Sequence, residues 1–185
     1  GISDITAGDT AVVFGAGVIG LLTLQVLLSA GCRRVYIADI NPSRLAFART
    51  LGAAAAFHSA SVNIHEELGR LTGGSGVQIA FDAVGIEETF GSAVHSVQKG
   101  GQVTVIGNFR PQTTFPLQYV VSRQITIRGS NASSGEYPEC LDMIQSGRID
   151  VDSLISATAP LSEGAQWFER LYRGEPGLFK VLLEP

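Results

Sequence analysis

The stretch VVFGAGVIG, residues 12–20, decides the fold. Its first part is a run of β-branched and aromatic residues, the composition of a buried strand. Its second part is apolar with helical spacing and continues to about Ala30. Between them Gly15, Gly17 and Gly20 form G-x-G-x-x-G at a junction of strand and helix, the context that gives this pattern meaning. Gly15 permits the tight turn, Gly17 lets backbone approach an anion, and Gly20 lets the helix pack closely on the sheet. The helix start then offers free N–H groups to a pyrophosphate.

Outward from this turn, short apolar runs alternate with helical ones. Strands are expected at Thr10–Phe14, Arg34–Asp39, Ala55–His58, Val77–Ala83, Gln102–Ile106 and Gln124–Arg128. Helices are expected from Val18 to Ala30, from Pro42 to Leu51 with Gly52 as its stop, from Ile64 to Leu71 and from Glu87 to Val97. Gly100-Gly101 reads as a turn, and the stretch Arg110–Leu117 as irregular. Six strands with intervening helices predict an α/β fold, a doubly wound parallel six-stranded sheet of the Rossmann type in the order 3-2-1-4-5-6. A helix from Glu136 to Ser146 follows. The segment Leu154–Leu161, the helix Glu163–Tyr172 and the strand Leu178–Leu183 then form a separate βαβ-like coda. The expected division is residues 1–150 as a nucleotide-binding domain and 151–185 as a segment returning to a second domain.

Asp39 ends the second strand 19 residues after Gly20. A carboxylate there accepts hydrogen bonds from both hydroxyls of an adenosine ribose and repels a 2′-phosphate, so the pair of features points to NAD rather than NADP. Arg44 lies one helical turn further on, where it either borders the adenosine or is an ordinary exposed helix residue. In this sheet order a ligand crosses the carboxyl ends of the strands. The ends of the fourth and fifth strands, Asp82-Ala83-Val84-Gly85 and Val105-Ile106-Gly107, are therefore expected on the nicotinamide side.

Composition bounds the other function classes. The 185 residues contain 45% hydrophobic and 16% charged residues, enough apolar material for a core and too little charge for a disordered polyelectrolyte. A net charge of −4 with scattered Lys and Arg leaves no footprint for nucleic acid. The apolar stretch Val12–Cys32 contains four glycines and several polar residues and reads as strand, turn and helix rather than as a membrane span. The polar opening GISDITAGD lacks a secretory signal, and a start at Gly1 just before a strand suggests a piece of something longer. Cys32 and Cys140 sit in no CxxC or Cys/His pattern, which fits a reducing cytoplasm. His58, His65 and His95 are spread over separate elements with no ligand spacing, so no metal site is expected in this chain and Cys32 reads as a packed residue.

Taken together, AGDTAVVFGAGVIGLLTLQVLLSAG, ADINPSRLAFARTLGA, FDAVG, KGGQVTVIG and RGSNASSGEYPECLDMIQSGRID resemble the cofactor-binding half of the medium-chain, zinc-type alcohol dehydrogenases, among them the sorbitol and polyol dehydrogenases. The resemblance implies NAD contacts at Gly17, Val18, Ile19, Asp39, Arg44, Val84, Val105, Ile106, Gly107 and around Ser130, Asn131 and Ala132. It implies a parent enzyme that moves hydride between an alcohol or polyol and NAD, with its zinc in a domain absent here and no catalytic residue in this chain. It also implies pairing of two copies through the sheet edge near Thr113–Leu117 and the sixth strand. Other readings are an NAD-sensing module without chemistry, a zinc-free quinone-reductase-like parent, and a methyltransferase; the third glycine of the turn favours a dinucleotide over the last.

Overall fold

The computed structural model describes residues 3–133 and 135–185; Gly1, Ile2 and Ser134, the last within one of the quoted motifs, lie outside the described residues. Six parallel strands form the main sheet: β1 (Thr10–Phe14), β2 (Arg34–Asp39), β3 (Ala55–His58), β4 (Val77–Asp82), β5 (Val97–Val105) and β6 (Thr126–Gly129). Their order is β3-β2-β1-β4-β5-β6, as the sequence predicts. The order reverses beside β1, so the connections leaving the paired ends of β1 and β4 run to helices on opposite faces and leave a crevice between them.

Alternation along the strands divides the core into two layers. Val13, Ile37 and Phe81 face α1 (Val18–Ser29) and α2 (Pro42–Thr50), whereas Val12, Phe14, Tyr36 and Val103 face α3 (Ile64–Leu71) and α4 (Glu87–Ser96). Strands covered on both faces read as continuous apolar runs, which is why β1 is buried at every position. Asn41 and Asn63 start α2 and α3, each side chain accepting two backbone N–H groups of the first turn.

Three features differ from the sequence reading. Gly100-Gly101 is not a turn ahead of the fifth strand. β5 runs through it from Val97, and the ladder with β4 jumps from Val77↔Val97 to Ile79↔Gln102. Gly100 has φ +75°, and the pair forms a bulge that keeps the strand in the sheet. A helix not anticipated, α5 (Leu117–Arg123), follows the irregular stretch and stops at Gln124, whose φ of 57° is left-handed. β6 consequently starts at Thr126 instead of Gln124. The sheet edge expected to pair with a second copy thus carries β6 and α5, with Phe115, Leu117 and Val121 exposed.

After α6 (Tyr137–Gln145), the chain forms β7 (Ile155–Pro160), α7 (Gly164–Tyr172) and β8 (Lys180–Glu184), a parallel two-stranded sheet separate from the first. The coda is docked on the α1–α2 layer. The buried Gln25 donates to the Asp150 carbonyl at 3.0 Å and accepts from its N–H at 2.7 Å. Leu154 enters the core, and the ring of Phe179 lies 4.9 Å from that of Phe47. Trp167 is half-buried and Phe168 exposed. None of the helices among the described residues is long and apolar enough to cross a membrane.

Candidate functional site

The turn between β1 and α1 is held by its own backbone. Gly15 has φ +101°, which other residues avoid, and its N–H donates to the Ala38 carbonyl on β2 at 2.8 Å. A Cβ on Gly20 would lie 1.8 Å from the Gly15 carbonyl oxygen, so no side chain fits where the helix meets the turn. Gly17 is different: no atom lies within 4 Å of the place its Cβ would take. It is the N-cap of α1, with no capping side chain and no acid in the first turn, where Val18 and the exposed Ile19 lie. The helix start therefore keeps its positive end open to an outside anion.

Asp39 is tied to this turn directly. One carboxylate oxygen, Oδ2, accepts the Ala16 N–H at 2.6 Å, and Oδ1 accepts the Asn41 N–H at 2.8 Å. Each oxygen retains a lone pair for a further donor, so the group is oriented by the backbone and still able to bind hydroxyls. Beside it lies a cavity of about 910 Å³. Of the cofactor-binding residues expected from the sequence, Gly15, Asp39, Arg44 and Val84 line it, and so do two of the three histidines, His65 and His95. The sequence reading missed Ile40 and Ile86, which also line it; Ile40 is 72% exposed immediately after a strand. An exposed isoleucine directly after the strand-ending acid was the available signal.

Val105, Ile106 and Gly107 do not line that cavity and lie at the end of β5. The N–H groups of Ile106 and Gly107 both donate to the Asp82 carbonyl at 2.9 Å. Ser130 follows β6, and its N–H donates to the Val105 carbonyl at 2.9 Å; Asn131 and Ala132 next to it are exposed, and Ala132 has φ 54°. Because every strand of the sheet is parallel, all these residues gather along one edge. The adenosine-side group sits at β1, β2 and the start of α4, and the second group at β4, β5 and β6.

The remaining titratable groups form no centre. His58 contacts the Ser61 hydroxyl at 3.0 Å, and the exposed His95 donates to the Gly91 carbonyl at 2.7 Å and lies against Tyr119. Among the described residues no group of three His, Cys, Asp or Glu is placed to hold a metal ion. Burial, followed by the charge of Asp9, pushes the Cys32 thiol up to about 11, so it is a packed thiol and a poor nucleophile.

Comparison with known proteins extends these observations. The sequence profile of the family described as zinc-binding dehydrogenase matches residues 18–146. The chain is 32% identical over 176 residues to the probable D-xylulose reductase A of Aspergillus terreus, a match that covers 92% of this chain and 50% of that protein. Among solved structures, the alcohol dehydrogenase TADH from Thermus sp. ATN1 superposes with a TM-score of 0.90 at 30% identity, over 97% of this chain and 51% of that one. An Escherichia coli CFT073 protein described as a short chain alcohol dehydrogenase complexed with cofactor NADH gives a TM-score of 0.89 at 25% identity, over 97% and 53%. The chain spans about half the length of the relatives it matches.

Proposed function

The chain belongs to the zinc-binding dehydrogenase family, and from that membership we propose that it is the NAD-holding half of a polyol or secondary-alcohol dehydrogenase. The observation that carries the reading is the link between the glycine turn and Asp39: the Ala16 N–H donates to the carboxylate at 2.6 Å, so pyrophosphate and ribose sites form one rigid unit. Gly17 and the uncapped start of α1, with Val18 and Ile19, hold the pyrophosphate. Asp39 binds the adenosine ribose and disfavours a 2′-phosphate, and Arg44, Ile40 and Ile86 border the adenine in the adjoining cavity. Val84, Val105–Gly107 and Ser130–Ala132 border the nicotinamide half. When bound, NAD supplies the carbon that takes hydride from an alcohol.

In this reading residues 151–185 belong with the substrate-binding part of the enzyme, and two copies pair through the β6 edge. The described residues do not fit a zinc ion, so zinc is assigned to the part of the dehydrogenase outside these 185 residues, and no step in this chain runs through it. The similar D-xylulose reductase supports a small polyol as substrate, and the NADH-complexed neighbour supports the cofactor.

Fluorescence titration with NADH and NADPH tests cofactor binding, and alcohol-dependent NAD reduction with metal analysis tests the rest. The chain is expected to bind NADH more tightly than NADPH, to turn over no alcohol and to carry no stoichiometric zinc. Absence of NADH binding overturns the cofactor reading. Robust turnover, or one tightly held zinc per chain, overturns the division of labour.

A further inference from the structure

The last residue of β4, Asp82, is a carboxylate with no solvent exposure. Burying such a group is costly unless its acceptors are used. Its Oδ1 accepts the backbone N–H groups of Val84 and Gly85, each at 3.0 Å, while Oδ2 has no hydrogen-bond partner among the described residues. Its main-chain carbonyl takes the N–H groups of Ile106 and Gly107. One residue therefore gathers four donors from the ends of two neighbouring strands.

Those ends are pressed together. A Cβ on Gly85, where φ is +83°, would lie 2.3 Å from the Gly107 carbonyl carbon, and a Cβ on Gly107 would lie 2.2 Å from that of Val84. Val84 in turn reaches the phosphate turn: a Cβ on Gly15 would lie 2.7 Å from its Cγ2. Contacts thus run from the buried carboxylate through Val84 to the glycine turn, and through Gly85 to the end of β5. Backbone N–H groups have a direction that apolar packing does not impose, so an acceptor beneath Val84 and Gly85 sets which way their backbone faces.

We propose that Asp82 is a positioning residue for the cofactor: it touches no ligand, but holds Val84–Gly85 turned in against Gly107 and so sets the slot at the ends of β4 and β5 that receives the nicotinamide half. The role rests on the NAD reading above. Asparagine keeps one oxygen in place of the carboxylate and alanine keeps none, so the two variants separate the acceptor from the side chain's volume.

The test is titration of the chain, Asp82→Asn and Asp82→Ala with NADH and with AMP. AMP occupies only the adenosine side at Asp39, whereas NADH spans both halves. Asp82→Ala is expected to weaken NADH by about tenfold and AMP by less than about twofold, and Asp82→Asn to restore NADH to within about threefold of the parent. If alanine prevents folding, Asp82→Ser, which keeps one shorter acceptor, carries the same test: NADH weakened, AMP unchanged. Equal losses for both ligands, or NADH binding that no variant changes, overturns this role alone. Failure of the unaltered chain to bind NADH overturns the role together with the cofactor reading.

Discussion

In β1 every residue from Thr10 to Phe14 is buried, whereas in β8 the residues from Lys180 to Glu184 alternate between exposed and half-buried. Both belong to parallel sheets with a helix in the crossover. The difference is cover: helices lie on both faces of the six-stranded sheet, while the β7–β8 pair has α7 and its contact with the α1–α2 layer. Phe168 and Tyr172 on α7 are 72% and 89% exposed. A parallel sheet draws its stability from being covered on both faces, so the same βαβ topology gives a fully covered platform in one place and a partly covered pair of strands in the other.

The largest test of this contrast is a pair of truncations. Ile37→Ala in β2, with no solvent exposure, is expected to cost about 2–5 kcal/mol, and Leu182→Ala in β8, 41% exposed, about 1 kcal/mol or less. Urea denaturation of both variants checks it, and equal losses would break the contrast. Thiol labelling comes next. Cys32 is buried in the main core and Cys140 is exposed on α6. A thiol pushed from 9.0 to about 11 carries about a hundredfold less thiolate at pH 8, so Cys140 should react rapidly and Cys32 only on unfolding. Two fast thiols at pH 8 would show that the core around Cys32 opens readily without global unfolding.

Asp39→Ala is expected to weaken NADH by about 1–3 kcal/mol and to narrow the preference over NADPH, because it removes a charged acceptor from the ribose site. It also releases the Ala16 N–H, so Asp39→Asn, which keeps an oxygen, should lose less. Calorimetric titration with both cofactors separates them, and unchanged NADH affinity in the alanine variant removes Asp39 from the site. The smallest effect concerns docking of the coda. Phe179→Ala removes the ring packed on Phe47 and should lower the opening free energy of β7 and β8 by about 1–2 kcal/mol, leaving β1 and β4 unchanged. Hydrogen exchange by strand reads this, and uniform acceleration would mean that the coda and sheet unfold together.

Most of the fold was legible in the sequence because its signals are local. The first four strand starts and Asp39 as the end of β2 are marked by apolar runs, and Gly15, Gly17 and Gly20 occupy the turn that their spacing predicts. α5 was not legible: it begins after Pro116 in a stretch without a capping side chain, and within its seven residues only Tyr119 and Val120 lean on the core, too short a stripe to show a helical period. The Gly100-Gly101 bulge was misread as a turn because a glycine pair carries the same local signal whether the chain leaves the sheet or kinks within it. Ile40 and Ile86 were missed because each follows a strand-end motif and is apolar without belonging to a strand core.

The sequence by itself determined the alternation of strands and helices, the glycine turn and the acid at the end of β2, since hydrophobic periodicity and backbone permissiveness act over a few residues; the strand order followed only from matching that alternation to a doubly wound sheet. Only the tertiary structure decided what the other acid does. In the sequence Asp82 reads only as part of the end of the fourth strand, and its role depends on donors at Val84, Gly85, Ile106 and Gly107 that come together when β4 and β5 pair. The same holds for the coda, whose Leu154 and Phe179 meet the α1–α2 layer from far along the chain. Contacts between distant segments depend on packing, and no local pattern encodes them.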